Sequence, residues 1–285
     1  MLVAVGEALA TMRVVVTGAN KGIGRAIVER LLRDYSDVHV YLAARSAERG
    51  VAACDEIAAK MPEAASRLEF LEMDVSDDVS VRRAADSLGP GPLYGLVNNA
   101  GIGFGRGFRD ALQTNFYGPM RVCEALLPLL KQSDPAGRIV NIASASAPNF
   151  VNRCGVREHR DVLARPAAST LDAVLDIAKS YETMTDYEDA AYGLSKACLN
   201  ALTVFLARDN PDLVVNSCTP GYILTDLTRG MGASKKPEEG TKAPVYLLMD
   251  PEPASLPTGR FYGSDAKRSP LDRYREPGTP PYDGP

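Results

Sequence analysis

The chain has 285 residues, 45% hydrophobic and 24% charged, the composition of a globular protein able to bury a large core. Its net charge of −4 excludes a broad basic footprint for nucleic acid or an anionic membrane surface, so the expected partner is a small molecule. Five scattered cysteines and only two histidines, His39 and His159, supply neither a disulfide framework nor metal-ligand spacing; they point to no metal and to a reducing, cytoplasmic setting.

Residues 1–11 form an N-terminal extension that lacks a basic leader and is too short to span a bilayer; Met12, directly before the first strand, is a candidate start. An apolar, β-branched run over 13–17 reads as that strand, and a helix is expected over 22–33. Between them lies Gly18-Ala19-Asn20-Lys21-Gly22-Ile23-Gly24. Glycine permits the tight turn and the close approach of a phosphate, while a helix N-terminus offers free N–H groups and partial positive charge. The spacing is G-x-x-x-G-x-G, and its weight comes from its place on the first strand–helix junction.

The second strand, over 38–42, runs into Ala43-Ala44-Arg45, with Arg49 one turn into a helix over 47–60. An NAD site places a carboxylate at this strand end for the ribose 2′-hydroxyl. Lys21, Arg45 and Arg49 suit a 2′-phosphate instead, which predicts NADP(H); an incidental surface pair is the alternative for the two arginines. Asp37 stands near the right distance from Gly18 but precedes the strand, at its opposite end.

Further strands over 68–73, 93–97, 138–143 and 213–217 alternate with helices over 79–88, 108–130 and 188–208. Nearly continuous apolar strands in strict alternation with helices predict an α/β, doubly wound Rossmann fold, a parallel sheet of about seven strands flanked by helices. Two segments depart from the pattern. Leu171, Val174, Leu175 and Ala178 follow helical spacing and predict a helical insertion over about 154–186. Residues 264–285, with five prolines among charges, read as a mobile tail beyond a single catalytic domain over 12–263.

Tyr192 and Lys196 are four residues apart on the helix after the insertion and share a face. A phenol with an ordinary pKa near ~10 is a poor acid at neutral pH; a cation beside it lowers that value and lets Tyr192 exchange a proton with a carbonyl or alcohol oxygen. The spacing alone is commonplace. Ser144, at the end of the strand over 138–143, and the glycine turn together make it a candidate hydride-transfer site.

In this order the motifs resemble the short-chain dehydrogenase/reductase family, and within it the monomeric carbonyl reductases. The likeness runs through Thr17 to Gly24, Asp74-Val75, Asn98-Asn99-Ala100-Gly101, Thr114-Asn115-Phe116, Ser144, Tyr192-Gly193-Leu194-Ser195-Lys196 and Pro220-Gly221, and covers about residues 12 to 263. The resemblance implies a catalytic tetrad of Asn115, Ser144, Tyr192 and Lys196. Ser144 would hydrogen-bond the substrate oxygen, with Ser146 the alternative. Tyr192 would be the general acid in reduction, Lys196 would hold the nicotinamide ribose and lower the Tyr192 pKa, and Asn115 would hold a water. Asp74 and Val75 would bound the adenine, and Asn98, Ala100 and Gly101 would lie along the adenosine ribose. Pro220, Gly221, Ile223 and Thr225 would line the nicotinamide end, and Tyr222 would offer an aromatic wall to the substrate. The animal carbonyl reductases usually carry a thiol before Pro-Gly and a tryptophan after it, whereas this chain has Thr219 and Tyr222, so glutathione-conjugate binding is not carried over.

The function implied is NADPH-dependent reduction of ketones, aldehydes or quinones by a monomer, since the long stretch between Ser144 and Tyr192 resembles the insertion that covers a dimerisation surface. The alternatives are a dedicated biosynthetic ketone reductase or alcohol dehydrogenase on a terpenoid- or alkaloid-like substrate, and a catalytically silent NADP-binding sensor or scaffold.

Overall fold

A computed structural model describes residues 12–187, 190–249 and 257–284. The expected extension over 1–11, and the first two residues of the helix expected over 188–208, lie outside the described residues. All six strands read from the sequence are present: β1 (Met12–Thr17), β2 (Val38–Ala44), β3 (Leu68–Glu72), β4 (Gly95–Asn98), β5 (Arg138–Ile142) and β6 (Val214–Cys218). Two more extend the sheet, β7 (Arg260–Tyr262) in parallel and the short β8 (Arg268–Ser269) antiparallel at the edge, giving the order β3-β2-β1-β4-β5-β6-β7-β8.

Both faces of the sheet are covered, which is why its central strands are apolar without alternation. Val14 and Val16 pack with Ile27 and Leu31 of α1 (Gly22–Asp34) and with Leu248 of α10 (Lys242–Met249); Val15 turns the other way, toward Leu126 and Leu130 of α5 (Gly118–Leu130). Side-chain caps set where helices begin. Ser46 accepts from the Arg49 backbone N–H at the start of α2 (Ala47–Lys60), and Asp77 accepts from Val79 N–H at 2.9 Å at the start of α3 (Asp78–Ser87).

The helix expected over 108–130 is interrupted. α4 (Gly107–Leu112) passes into a π-helical turn over Gln113–Tyr117 before α5 continues the rod. The extra residue of such a turn re-aims side chains, and Asn115 lies in it.

The insertion is more elaborate than one helix. α6 (Ser146–Arg153), α7 (Arg157–Ala164) and α8 (Leu171–Tyr181) pack on α9 (Ala190–Asp209), with Leu163, Val174, Ile177, Ala178 and Tyr181 buried against Leu194, Cys198 and Leu202. Among the four periodic positions of α8, Val174 and Ala178 are buried and Leu171 and Leu175 partly so. α9 is long and apolar enough to cross a membrane, but 89% of its apolar window is buried inside the protein, which accounts for its composition all round.

Residues 264–284 depart from the mobile tail that their prolines suggest. The β7–β8 hairpin holds them: Tyr282 N–H donates to Arg268 O at 3.0 Å, Arg268 donates to Gly284 O at 2.6 Å, and the Arg273 guanidinium lies 5.4 Å from the centre of the Tyr282 ring. Proline-rich backbone needs few internal hydrogen bonds, so side chains from the hairpin suffice to fasten it.

Candidate active site

A cleft of about 870 Å³ crosses the carboxyl ends of β1, β2, β4, β5 and β6. The sheet order reverses between β1 and β4, the position where open α/β sheets leave a crevice for ligands.

Gly18, Asn20, Lys21, Gly22 and Ile23 line one end of the cleft. Gly18 has φ +64° and a Cβ there would lie 2.7 Å from Ala100 Cα; Gly22 has φ +57°. Only glycine keeps this turn tight against the loop after β4. Gly24, expected beside the cofactor, is not on the cleft wall. A Cβ on it would stand 2.4 Å from Asn99 Nδ2, so its task is to let α1 close onto the turn. Asn99 and Thr17 hold that arrangement: Asn99 Nδ2 donates to the carbonyls of Thr17 at 2.8 Å and Gly18 at 3.2 Å, and Thr17 Oγ1 accepts from Asn99 N–H and Ala100 N–H, both at 3.0 Å. Neither was singled out from the sequence for a role; a hydroxyl directly before Gly18 and a second Asn after Asn98 are the signals.

Asn98 itself turns away from the cleft. Its Nδ2 donates to Asn141 Oδ1 at 2.9 Å, and Asn141 Nδ2 donates to Thr203 Oγ1 at 2.9 Å, a buried polar chain from β4 through β5 to α9. Its neighbours Asn99, Ala100 and Gly101 line the cleft instead. Asp74 and Val75 line it too; Asp74 Oδ1 accepts from Ser76 N–H at 2.9 Å and from Ser76 Oγ at 2.6 Å.

Arg45 and Arg49, both exposed, line the cleft beyond the end of β2, while Asp37 sits before that strand. Lys21 differs from expectation. Its Nζ pairs with Asp226 Oδ2 at 2.6 Å, tying the glycine turn to the loop after β6, where Arg229 holds the same carboxylate. Lys21 holds the Asp226 carboxyl below its ordinary range. A turn that admits no Cβ and two exposed guanidiniums at the β2 end fit a dinucleotide bearing a 2′-phosphate.

Ser144, Tyr192 and Lys196 line the middle of the cleft. Tyr192 is 8% exposed, and the Phe104 ring is centred 4.6 Å from its own. Burial pushes the phenol pKa up and the Ser144 hydroxyl pulls it down; burial prevails, so the phenol is protonated at neutral pH. Both Ser144 and Ser146 line the cleft, and Ser146 N–H donates to Ser144 Oγ at 3.1 Å. Lys196 Nζ lies 5.9 Å from the Tyr192 ring centre and donates to Ile142 O at 2.7 Å. The expected net lowering of the Tyr192 pKa is not found: burial is the largest influence on the phenol and raises its pKa.

Asn115 is fully buried and off the cleft wall. Its Oδ1 accepts from Ile102 N–H at 2.9 Å, and its Nδ2 donates to Ile102 O at 3.0 Å and to Ser195 Oγ at 3.0 Å. It pins the loop after β4 to α9. Pro220, Gly221, Ile223 and Thr225 line the far end with Tyr222, whose hydroxyl donates to Met231 O.

Burial pushes the Lys196 ammonium down from its ordinary value to about 8. Since the folded value lies below the unfolded one, the contribution of this one group to stability rises with pH between pH ~8 and ~10.4. The buried thiols Cys123, Cys198 and Cys218, pushed up by burial, act in the opposite sense, so the lysine is read as a difference. In denaturant unfolding of the apoprotein, the stability of the original protein relative to Lys196→Met, which keeps the stem and removes the charge, is expected to rise with pH across the window; a constant difference would mean that water reaches the ammonium.

Residues 12–154 match the family model described as short chain dehydrogenase. Carbonyl reductase (NADPH) 3 of Mus musculus is 36% identical over 272 residues, covering 86% of this chain and 94% of the relative. Among solved structures, salutaridine reductase from Papaver somniferum superposes with a TM-score of 0.77 at 28% identity, covering 88% of this chain and 99% of that one. Menthone neomenthol reductase from Mentha piperita gives a TM-score of 0.74 at 26% identity, covering 89% and 99%. The chain belongs to the short chain dehydrogenase family.

Proposed function

We propose that the protein reduces ketones, aldehydes or quinones to alcohols with NADPH. The observation that carries this reading is the convergence of Ser144, Tyr192 and Lys196 in the same cleft as the glycine turn and Arg45/Arg49. The phenol holds its proton at neutral pH, and the alkoxide left by hydride addition is a far stronger base than a phenolate, so the proton passes to it in the reductive direction. When bound, NADPH supplies the hydride to the carbonyl carbon. The chain's own part is to orient the substrate through hydrogen bonds from Ser144 and Tyr192 to the carbonyl oxygen. Tyr192 then passes its proton to that oxygen and is reprotonated from solvent. Lys196, braced on Ile142 O, holds the ribose side of the cleft; Arg45 and Arg49 hold the 2′-phosphate. The packing of α7 and α8 on α9 supports a monomer.

The relative named as an NADPH carbonyl reductase supports this reading. The likeness to salutaridine reductase and menthone neomenthol reductase favours a second one, a dedicated reductase of one terpenoid- or alkaloid-like ketone on the same residues. A silent sensor is disfavoured, because only chemistry requires Ser144, Tyr192 and Lys196 together. Oxidation of NADPH and of NADH by purified protein is the test, against a panel of quinones, diketones, aromatic aldehydes and cyclic terpenoid ketones. Turnover of many unrelated carbonyls with NADPH is expected; turnover of a single ketone class would establish the second reading, and NADPH binding without turnover of any would sink both.

A further inference from the structure

Tyr274, Arg275 and Pro277 line the same cleft as Tyr192, although they follow the last strand. Arg275 is the fastening. Its Nε donates to Ser269 Oγ at 3.0 Å, Nη1 to Thr279 O at 2.9 Å, and Nη2 to the Asp265 carboxylate, whose other oxygen accepts from Gly278 N–H at 2.9 Å. The pair is withdrawn from water, with side chains 7% and 14% exposed. Gly263 makes the room: a Cβ there would stand 2.5 Å from the Arg275 guanidinium and 2.7 Å from Asp265 Oδ1. The hairpin so fastened sits on the turn after β6, where a Cβ on Gly221 would lie 3.2 Å from Ser264 Cβ.

The strap therefore has a rigid base beside the reacting groups, and what it presents to the cleft is an aromatic ring. Tyr274 is 46% exposed; Tyr222 at 49% and Leu224 at 48%, on the loop after β6, line the same cleft. Phe104, whose ring packs on that of Tyr192, lines the cleft as well. An exposed apolar concentration of this kind around a cleft marks a surface that is covered when a ligand is bound.

We propose that the strap over 270–284, locked by Arg275 and Asp265, forms a wall of the substrate site, and that Tyr274 selects carbonyl compounds whose reacting group is attached to a bulky apolar body. This rests on the carbonyl-reductase reading above and extends the catalytic unit beyond residue 263. A small diketone reaches Tyr192 and Ser144 without touching the strap; a planar polycyclic quinone extends to it.

The test is steady-state kinetics with phenanthrenequinone and with diacetyl under saturating NADPH. Tyr274→Ala is expected to raise KM for phenanthrenequinone about tenfold while leaving its kcat and the diacetyl KM unchanged. Tyr274→Phe, which keeps the ring, is expected to behave like the original protein, and Arg275→Met, which unfastens the strap, to reproduce the split. A Tyr274→Ala variant whose two KM values move together, or do not move, overturns the proposal. If the original protein turns over neither compound, the carbonyl-reductase reading is decided by the wider panel above. Calorimetric binding of phenanthrenequinone to the NADPH-loaded protein then decides for the strap: about tenfold weaker binding by Tyr274→Ala supports it, and equal binding overturns it.

Discussion

Replacing Tyr192 by Phe is expected to lower kcat by about a thousandfold while leaving the dissociation constant for NADPH within a factor of about two. The substitution deletes one oxygen. The ring that packs on Phe104 remains, as does the helix that carries Lys196, so the cleft keeps its shape. What disappears is the proton that the buried phenol retains at neutral pH. General acid catalysis contributes roughly 10²–10⁴ in rate. The check is single-turnover kinetics beside fluorescence titration with NADPH. Activity within tenfold of the original would mean that the proton comes from elsewhere, and Tyr192 would revert to a packing residue.

Removing Arg45 and Arg49 together, each to Ala, is expected to cost about a hundredfold in kcat/KM for NADPH and almost nothing for NADH. Charge-assisted hydrogen bonds to a phosphate are worth about 1.5–3 kcal/mol each, and exposure of both guanidiniums to water places the pair toward the lower end. The difference between the two cofactors is the 2′-phosphate alone, so the ratio of their kcat/KM values reads the site directly. An unchanged ratio would mean that another cation discriminates. Lys21 is the obvious one, released from Asp226 when the phosphate competes for it.

Much of this was legible in the chain because the constraints are local. The glycine turn, the apolar strands and the Tyr192/Lys196 spacing each follow from backbone geometry or helical period. What was not legible depends on which way a side chain turns. Asn98 and Asn99 are identical and adjacent at the end of a strand, where successive residues face opposite sides; one enters the core with Asn141 and the other clamps Gly18. Lys21 read as a phosphate ligand because Asp226, its partner, lies far along the chain on a loop with no periodicity. Composition made residues 264–284 look loose, since no count of prolines shows that Gly263 leaves space for Arg275. The Tyr192 pKa moved opposite to expectation for a related reason: a charge four residues away is visible in a sequence, and the depth of burial that overrides it is not.

The π-helical turn at Gln113–Tyr117 has a mechanical side. Ahead of it, Phe108, Ala111 and Leu112 belong to the apolar cluster shared with α8 and α9; behind it, Val122, Cys123, Leu126 and Leu130 belong to the cluster under β1, β4 and β5. One rod thus meshes with two cores, and the extra residue is the gear change that lets its faces fall out of phase. Asn115 sits at that changeover with its side chain hooked to the loop after β4. The insertion packs on the same stretch of rod, so it is joined to the mouth of the cleft at Ile102 through a crankshaft that the chain already contains.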